Sequence, residues 1–160
     1  MIRKKIVITG GLGYIGTELC KIYSGSSWNN EIIVIDNRFI SERVNQLRNW
    51  GIEFVNGDIL DVDLLKKWFG NADIVHHLAG ITDVARTNQE ENPDKNKKLN
   101  LVALEGTKNV ISAMPDNCKI IFPSTHVIFE GIQSVKDNIT EEEIPAPVLQ
   151  YSQGKVANEK

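Results

Sequence analysis

Along this chain, short apolar runs rich in β-branched residues alternate with stretches whose apolar positions recur at helical spacing. KKIVITG reads as a first strand, and YIGTELCKIYSG after it as a helix ending at Gly25. EIIVID is a second strand, followed by SERVNQLRNWG as a helix with Ser41 as its N-cap and Gly51 just beyond its end. IEFVNGD is a short third strand, DVDLLKKWFG a short helix, and ADIVHHLAG a fourth strand. A long helix covers KKLNLVALEGTKNVISAM, CKIIFPST is the fifth strand, and LQYSQGKVANEK is helical in pattern.

Strands that are apolar along their whole length and separated by helices predict a parallel sheet covered on both faces. Right-handed crossovers make this an α/β doubly wound sheet with the first strand near its centre and the strand order 3-2-1-4-5. There are no internal repeats and no low-complexity segment. The most polar stretch, TDVARTNQEENPDKNKK at residues 82–98, reads as a solvated loop and helix entry beside the carboxyl ends of the strands. An active-site lid is the sharper alternative for it.

Composition narrows the function classes. The 160 residues are enough for one domain with a real core, and 41% hydrophobic with 24% charged residues is the balance of an ordinary soluble globular protein. A net charge of −3 offers no footprint for nucleic acid or an anionic membrane, and no apolar run approaches the roughly 20 residues that span a bilayer. The basic start MIRKK leads into a glycine-rich stretch without a small-residue cleavage site, so it does not read as a secretion signal, and a cytoplasmic location is expected. Cys20 and Cys118 lie far apart without metal-ligand spacing and read as two buried thiols, with no metal implied.

Four glycines, Gly10, Gly11, Gly13 and Gly16, follow the first strand and open the first helix. Gly11, Gly13 and Gly16 match G-x-G-x-x-G, while Gly10, Gly13 and Gly16 match G-x-x-G-x-x-G. Glycines here allow a tight turn, a close approach of backbone to a pyrophosphate and close helix–sheet packing, with the helix N-terminus aimed at the phosphates. Twenty residues after Gly16 the second strand ends in Asp36, placed to accept hydrogen bonds from a ribose diol. A carboxylate there repels a 2′-phosphate and favours NAD, although Arg38 nearby leaves NADP open.

The stretch YSQGK places Tyr151 and Lys155 four apart, on one face of a helix. A lysine ammonium near a phenol favours the phenolate, which can take a proton from a substrate hydroxyl while hydride leaves the same carbon.

The glycine turn, Asp36 and the Tyr151/Lys155 pair occur in the order seen in the short-chain dehydrogenase/reductase superfamily. The chain resembles its extended branch, the NAD-dependent nucleotide-sugar epimerases and dehydratases. TGGLGYIG is similar to the opening turn of that branch, implying a cofactor contact for Gly10, Gly13, Tyr14, Ile15 and Gly16. VIDN resembles its second strand end, with Asp36 and Asn37, and GDILD the segment that contacts adenine through Asp58 and Ile59. HHLAG resembles its fourth strand end, where Leu78, Ala79 and Gly80 line the cofactor, and GTKNVISA its long fourth helix. FPSTHVIFEG is similar to the segment carrying the hydroxyl partner, Thr125, with Ser124 beside it, and YSQGKVANE to the catalytic helix.

The resemblance implies that Tyr151 removes a sugar hydroxyl proton, that Thr125 hydrogen-bonds the sugar oxygen, and that Lys155 holds the nicotinamide ribose. An epimerase returns the hydride to the other face of the keto sugar, and a dehydratase loses water first. It implies a UDP-, dTDP- or GDP-sugar substrate, a homodimer, and residues 1–160 as an NAD(P)-binding Rossmann domain. Further strands and a substrate-binding part would complete that domain. A non-catalytic dinucleotide-binding module and an NADPH-dependent reductase are the alternatives.

Several positions depart from the family pattern. Ala103 stands where Asn is usual, three residues before the Gly106–Thr107 pair, with Asn100 one turn earlier, and the region from Pro93 to Gly106 is longer than the pattern. Phe129 replaces a usual tyrosine, Glu130 is inserted before Gly131, and Gly154 replaces a common serine. His126 reads as a polar loop residue, and His76 and His77 as structural residues of the fourth strand.

Overall fold

The computed structural model describes residues 3–26, 29–82, 93–134 and 137–160. Five strands, β1 (Lys5–Thr9), β2 (Glu31–Asp36), β3 (Glu53–Asn56), β4 (Ile74–His77) and β5 (Lys119–Ile121), form one sheet in the order β3-β2-β1-β4-β5. Every pairing is parallel, and Ile6 lies opposite both Ile32 and Ile74. The crossovers carry α1 (Tyr14–Ser24), α2 (Ser41–Asn49) and α3 (Val62–Phe69). Between β4 and β5, α4 (Pro93–Asn100) continues through a π-helical segment, Leu101–Gly106, into α5 (Thr107–Ala113). A 3-10 turn at His126–Phe129 and α6 (Gln150–Asn158) follow β5. This is the doubly wound Rossmann-like sheet that the sequence predicts.

The chain divides into two compact units, Met1–Gly80 with Gly106–Pro123, and Ile81–Glu105 with Ser124–Lys160. The first holds the sheet. Ile6 and Ile8 of β1 and Ile32 and Val34 of β2 form one cluster with Leu12, Cys20, Val44, Leu47 and Ile52, on the side of α1 and α2. The alternate residues Val7, Ile33 and Ile35 are equally buried, as the two-residue period of a strand requires when both faces are covered. On α3 and α5, which pack on each other, Leu65, Phe69 and Val110 are fully buried.

The strands are not uniformly apolar and buried. β1, β2 and β4 are buried past their first residue, with Thr9, Asp36, His76 and His77 as buried polar positions at their carboxyl ends, but the ends of β3 and β5 are exposed, because each is an edge strand with a single neighbour among the described residues. Ser41 is the first helical residue of α2 and not its cap; Ile40 holds that position and no side chain caps the helix. A side-chain cap does form at α3, where Asp61 accepts a hydrogen bond from the Leu64 amide at 3.0 Å. Cys20 is buried, but Cys118 is only half-buried, because it sits in the turn before the exposed edge strand with its amide on Pro115 O. Within the polar stretch, α4 begins at Pro93, as the helix-entry reading has it; residues 83–92, on which the loop reading and much of the lid reading fall, lie outside the described residues.

In the second unit α6 packs against α4 and against the 3-10 turn. The π segment lies within the Pro93–Gly106 region. A π-helix takes up extra residues by widening the turn, and it disturbs the regular carbonyl pairing. The Asn158 side chain of α6 donates to Ala103 O at 2.9 Å. A β-carbon on Gly154 would lie 3.2 Å from the Ala103 Cβ, so α6 and the π segment approach closely at these two small residues.

Candidate functional site

The glycine turn follows from the end of β1. Gly10 has φ +70°, a conformation that side chains disfavour, and a β-carbon there would lie 2.6 Å from the Ala79 amide nitrogen. Gly10 N–H donates to Ile35 O at 2.7 Å, and Gly13 N–H donates back to Gly10 O at 3.0 Å, closing the turn. The space at Gly11 is taken by Val34, and that at Gly16 by the backbone of Gly11. Gly13 differs from these three. It begins α1 with extended backbone, and beyond the Gly10 carbonyl its open side meets only the Arg38 guanidinium, 3.9 Å from an added β-carbon. No side chain caps α1, so its first amide groups are available to an anion. Tyr14 and Ile15 in that first turn are 81% and 63% exposed, which for large side chains opening a helix leaves them free to cover a bound group.

Asp36 ends β2 almost fully buried, with its carboxylate turned toward the turn. One oxygen accepts from Leu12 N–H at 3.0 Å and from Arg38 Nη2 at 3.1 Å; the other accepts from Arg38 N–H and Arg38 Nε at 3.0 and 3.1 Å. The pair is a two-pronged ion pair, and the Asp36 hydrogen bond holds Arg38 more firmly protonated. A ribose diol reaching Asp36 must displace or share this guanidinium, which at 55% exposure is free to swing aside. Arg43 Nη1 anchors the turn from α2 by donating to Leu12 O.

The other predicted residues of this unit are held by side chains. Asn37 Nδ2 donates to Asp58 at 2.9 Å, and the other Asp58 oxygen accepts from Leu60 N–H. Ile59 O accepts from Asn109 Nδ2 at 3.2 Å, and Gly106 leaves room for the Ile59 side chain, which an added β-carbon would meet at 2.4 Å. At the end of β4, Leu78 N–H donates to Thr9 O and Ala79 N–H to Thr9 Oγ1, while Gly80 is open to solvent. His77 lies between Thr9 and Thr107, with Nδ1 2.8 Å from Thr9 Oγ1 and Nε2 3.0 Å from Thr107 Oγ1. His76 Nε2 meets the Tyr23 hydroxyl at 2.8 Å, and burial pushes its pKa down. The first unit thus brings together Gly10, Gly13, Tyr14, Ile15, Gly16, Asp36 and Asn37 around the turn. It also holds Asp58, Ile59, Leu78 and Ala79 by hydrogen bonds at the neighbouring strand ends, with Gly80 exposed beyond them.

The second unit carries the other predicted residues. Tyr151 and Lys155 lie one turn apart on α6, with Lys155 Nζ 5.8 Å from the Tyr151 ring centre. Burial pushes the Lys155 pKa down, and the Glu159 carboxylate one turn further along pushes it back up. Glu159 also receives the Ser124 hydroxyl. Thr125 Oγ1 accepts from Val127 N–H at 3.2 Å, capping the 3-10 turn and leaving the hydroxyl proton to donate elsewhere. His126 is exposed on that turn.

Sequence reasoning passed over three supporting residues. Glu159 was legible as an acid four residues after Lys155, the helical spacing for a pair. Asn109, which holds Ile59 O from 50 residues away, and Glu130, whose carboxylate accepts from Leu149 N–H 19 residues away, carry no local signal for these contacts.

Residues 7–160 match the model of the 3-beta hydroxysteroid dehydrogenase/isomerase family. The chain is 32% identical over 148 residues to CDP-paratose 2-epimerase of Salmonella typhi, covering 86% of this chain and 41% of that protein. It is 30% identical to dTDP-D-glucose 4,6-dehydratase of Dictyostelium discoideum, covering 98% of this chain and 39% of that protein. Among solved structures, UDP-glucose 4-epimerase from Brucella ovis in complex with NAD superposes with a TM-score of 0.79 at 25% identity, over 98% of this chain and 46% of that one. The chain therefore spans less than half the length of the relatives it matches. On this match it belongs to the 3-beta hydroxysteroid dehydrogenase/isomerase family, within the short-chain dehydrogenase/reductase superfamily and akin to its nucleotide-sugar epimerases and dehydratases.

Proposed function

We propose that this chain supplies the NAD-binding part and the proton-transfer residues of a nucleotide-sugar epimerase or dehydratase. The observation that carries the reading is the pairing of Tyr151 and Lys155 on one face of α6, in the same unit as Thr125. The relatives act on a CDP-sugar and a dTDP-sugar, and the similar structure is that of an enzyme for a UDP-sugar, so the substrate class is a sugar on a nucleoside diphosphate.

The residues of the first unit fit NAD. The uncapped start of α1 and the open side of Gly13 suit a pyrophosphate, and Asp36 suits a ribose diol once Arg38 moves. When bound, NAD serves as the hydride acceptor and donor. Tyr151 takes the proton of a sugar hydroxyl while that carbon is oxidised to a ketone, and returns it when the ketone is reduced. Thr125 donates a hydrogen bond to the same sugar oxygen, and Lys155 favours the phenolate and holds the nicotinamide ribose.

The test is Tyr151→Phe, assayed for turnover of UDP-, CDP- and dTDP-sugars and for NAD affinity. Turnover is expected to fall by about 100-fold or more with NAD affinity within about threefold. Both are read in a protein that also carries the substrate-binding part, and equal turnover with and without the tyrosine hydroxyl overturns the reading, as does a complete protein that binds NAD but leaves every nucleotide sugar unchanged.

A further inference from the structure

We propose that Glu130, the residue inserted in the hydroxyl-bearing segment, is a positioning residue that fixes the start of α6 and thereby the placement of Tyr151 and Lys155. The proposal rests on the reading of α6 as the catalytic helix.

One carboxylate oxygen of Glu130 accepts three hydrogen bonds, from Val148 N–H at 2.8 Å, Leu149 N–H at 2.6 Å and Ser152 Oγ at 2.5 Å. Leu149 occupies the N-cap of α6 and has no side chain able to cap it. A helix start leaves amide groups without partners inside the helix, and an anion there also opposes the positive end of the helix dipole. Glu130 supplies that anion from 19 residues away in sequence. Burial raises its pKa, but the hydrogen bonds from Leu149, Ser152 and Val148 outweigh this and hold the carboxyl below its ordinary value, so the anion persists.

The surrounding backbone is built to hold the carboxylate in place. Gly131 N–H donates to Ala146 O and Ala146 N–H donates to Ile128 O, both at 2.9 Å, tying the 3-10 turn to the residues that lead into α6. A β-carbon on Gly131 would lie 2.5 Å from Ala146 O, so this approach requires glycine after Glu130. Ser152, which the carboxylate also grips, is fully buried and immediately follows Tyr151. At its other end the same 3-10 turn is capped by Thr125. A single short turn therefore carries Thr125 at one end and, through Glu130, sets the start of the helix bearing Tyr151. His126 lines the same open apolar hollow as Glu130, about 430 Å³ in volume and shared with Val127, Phe129 and Ile139.

The experiment uses E130A and E130Q, since glutamine keeps an acceptor oxygen and loses the charge. Amide hydrogen exchange is read first, because it does not depend on activity. In E130A, exchange at Val148 and Leu149 is expected to rise about tenfold or more and to spread into α6, while the β1 amides stay as in wild type; E130Q is expected to lie between the two. Turnover of a nucleotide sugar is read second. E130A should lower kcat about tenfold with KM within about threefold, and E130Q should recover part of the loss. Unchanged exchange at Val148 and Leu149 overturns the proposal. Exchange that rises throughout the sheet as well overturns it too, since that marks a general loss of fold. If the local exchange result holds but the wild-type protein turns over no nucleotide sugar, the enzyme reading fails while the anchoring of α6 by Glu130 stands.

Discussion

At the scale of single residues, the four glycines of the first turn divide by what occupies the space of the missing side chain. At Gly10 it is the backbone of Leu78 and Ala79, and φ is +70°. The chain itself requires that glycine whatever binds nearby. At Gly13 the backbone is ordinary and the open side meets only the Gly10 carbonyl at 3.1 Å and the Arg38 guanidinium. Gly10→Ala is therefore expected to destabilise the fold by about 3 kcal/mol or more, since neither the dihedral nor the Ala79 backbone can yield. Gly13→Ala should cost about 1 kcal/mol and weaken NAD binding by about tenfold or more, because its methyl group faces the place proposed for the pyrophosphate. Urea denaturation and an NAD titration on each variant separate the two effects. Equal losses of stability would mean that the chain, and no ligand, dictates both glycines.

At the scale of elements, most of this fold is written locally. The alternation of β-branched runs with helical periods reveals β1 to β5 and the helices between them, because inner parallel strands must be apolar on both faces. The glycine turn and Asp36 are legible for the same reason: a strand, a turn and a helix start lie close in sequence. Tyr151 and Lys155 are legible because helical spacing places them together. What could not be read depends on contacts between distant segments, such as Glu130 reaching the start of α6, or Asn109 holding Ile59. Ser41 misleads as a cap because its residue type is right but the helix begins one residue early, with Ile40 outside it. The π segment carries no local signal in the sequence, and it brings Ala103 next to Gly154. Gly154 faces Ala103, whose methyl group is fixed to a helix and cannot swing away. Alanine normally stabilises a helix interior over glycine by about 1 kcal/mol. Gly154→Ala should gain nothing in the wild-type background but recover about 1 kcal/mol when paired with Ala103→Gly. A double-mutant cycle by chemical denaturation reads this as a coupling of at least about 0.5 kcal/mol. Additive effects would show that the two helices do not meet there.

At the scale of the whole molecule, the response to pH follows from what the sheet encloses. His76, the residue before the last of β4, is 7% exposed and meets Tyr23 of α1 edge-to-face, with ring centres 5.7 Å apart and the hydroxyl on its Nε2. Burial in this apolar surrounding disfavours the charged imidazolium and holds its pKa below the ordinary value of 6.5. In the unfolded chain the ring regains that ordinary value. Between the two, the unfolded state binds a proton that the folded state refuses, so stability rises with pH across the interval. Read downward, the fold is at full strength above the unfolded value and weakens as pH falls through it toward the lower, folded one. The urea midpoint should therefore drop between pH 7 and pH 5.5, above the range in which ordinary carboxylates dominate the titration. His76→Gln removes the proton-binding ring while keeping a hydrogen-bonding side chain for Tyr23. It should lower stability at pH 7 through lost packing, yet flatten the slope across the same interval. A variant whose midpoint falls as steeply as that of the wild type would place the acid sensitivity elsewhere, with His77, pinned between Thr9 and Thr107 in the same sheet, as the next group to replace.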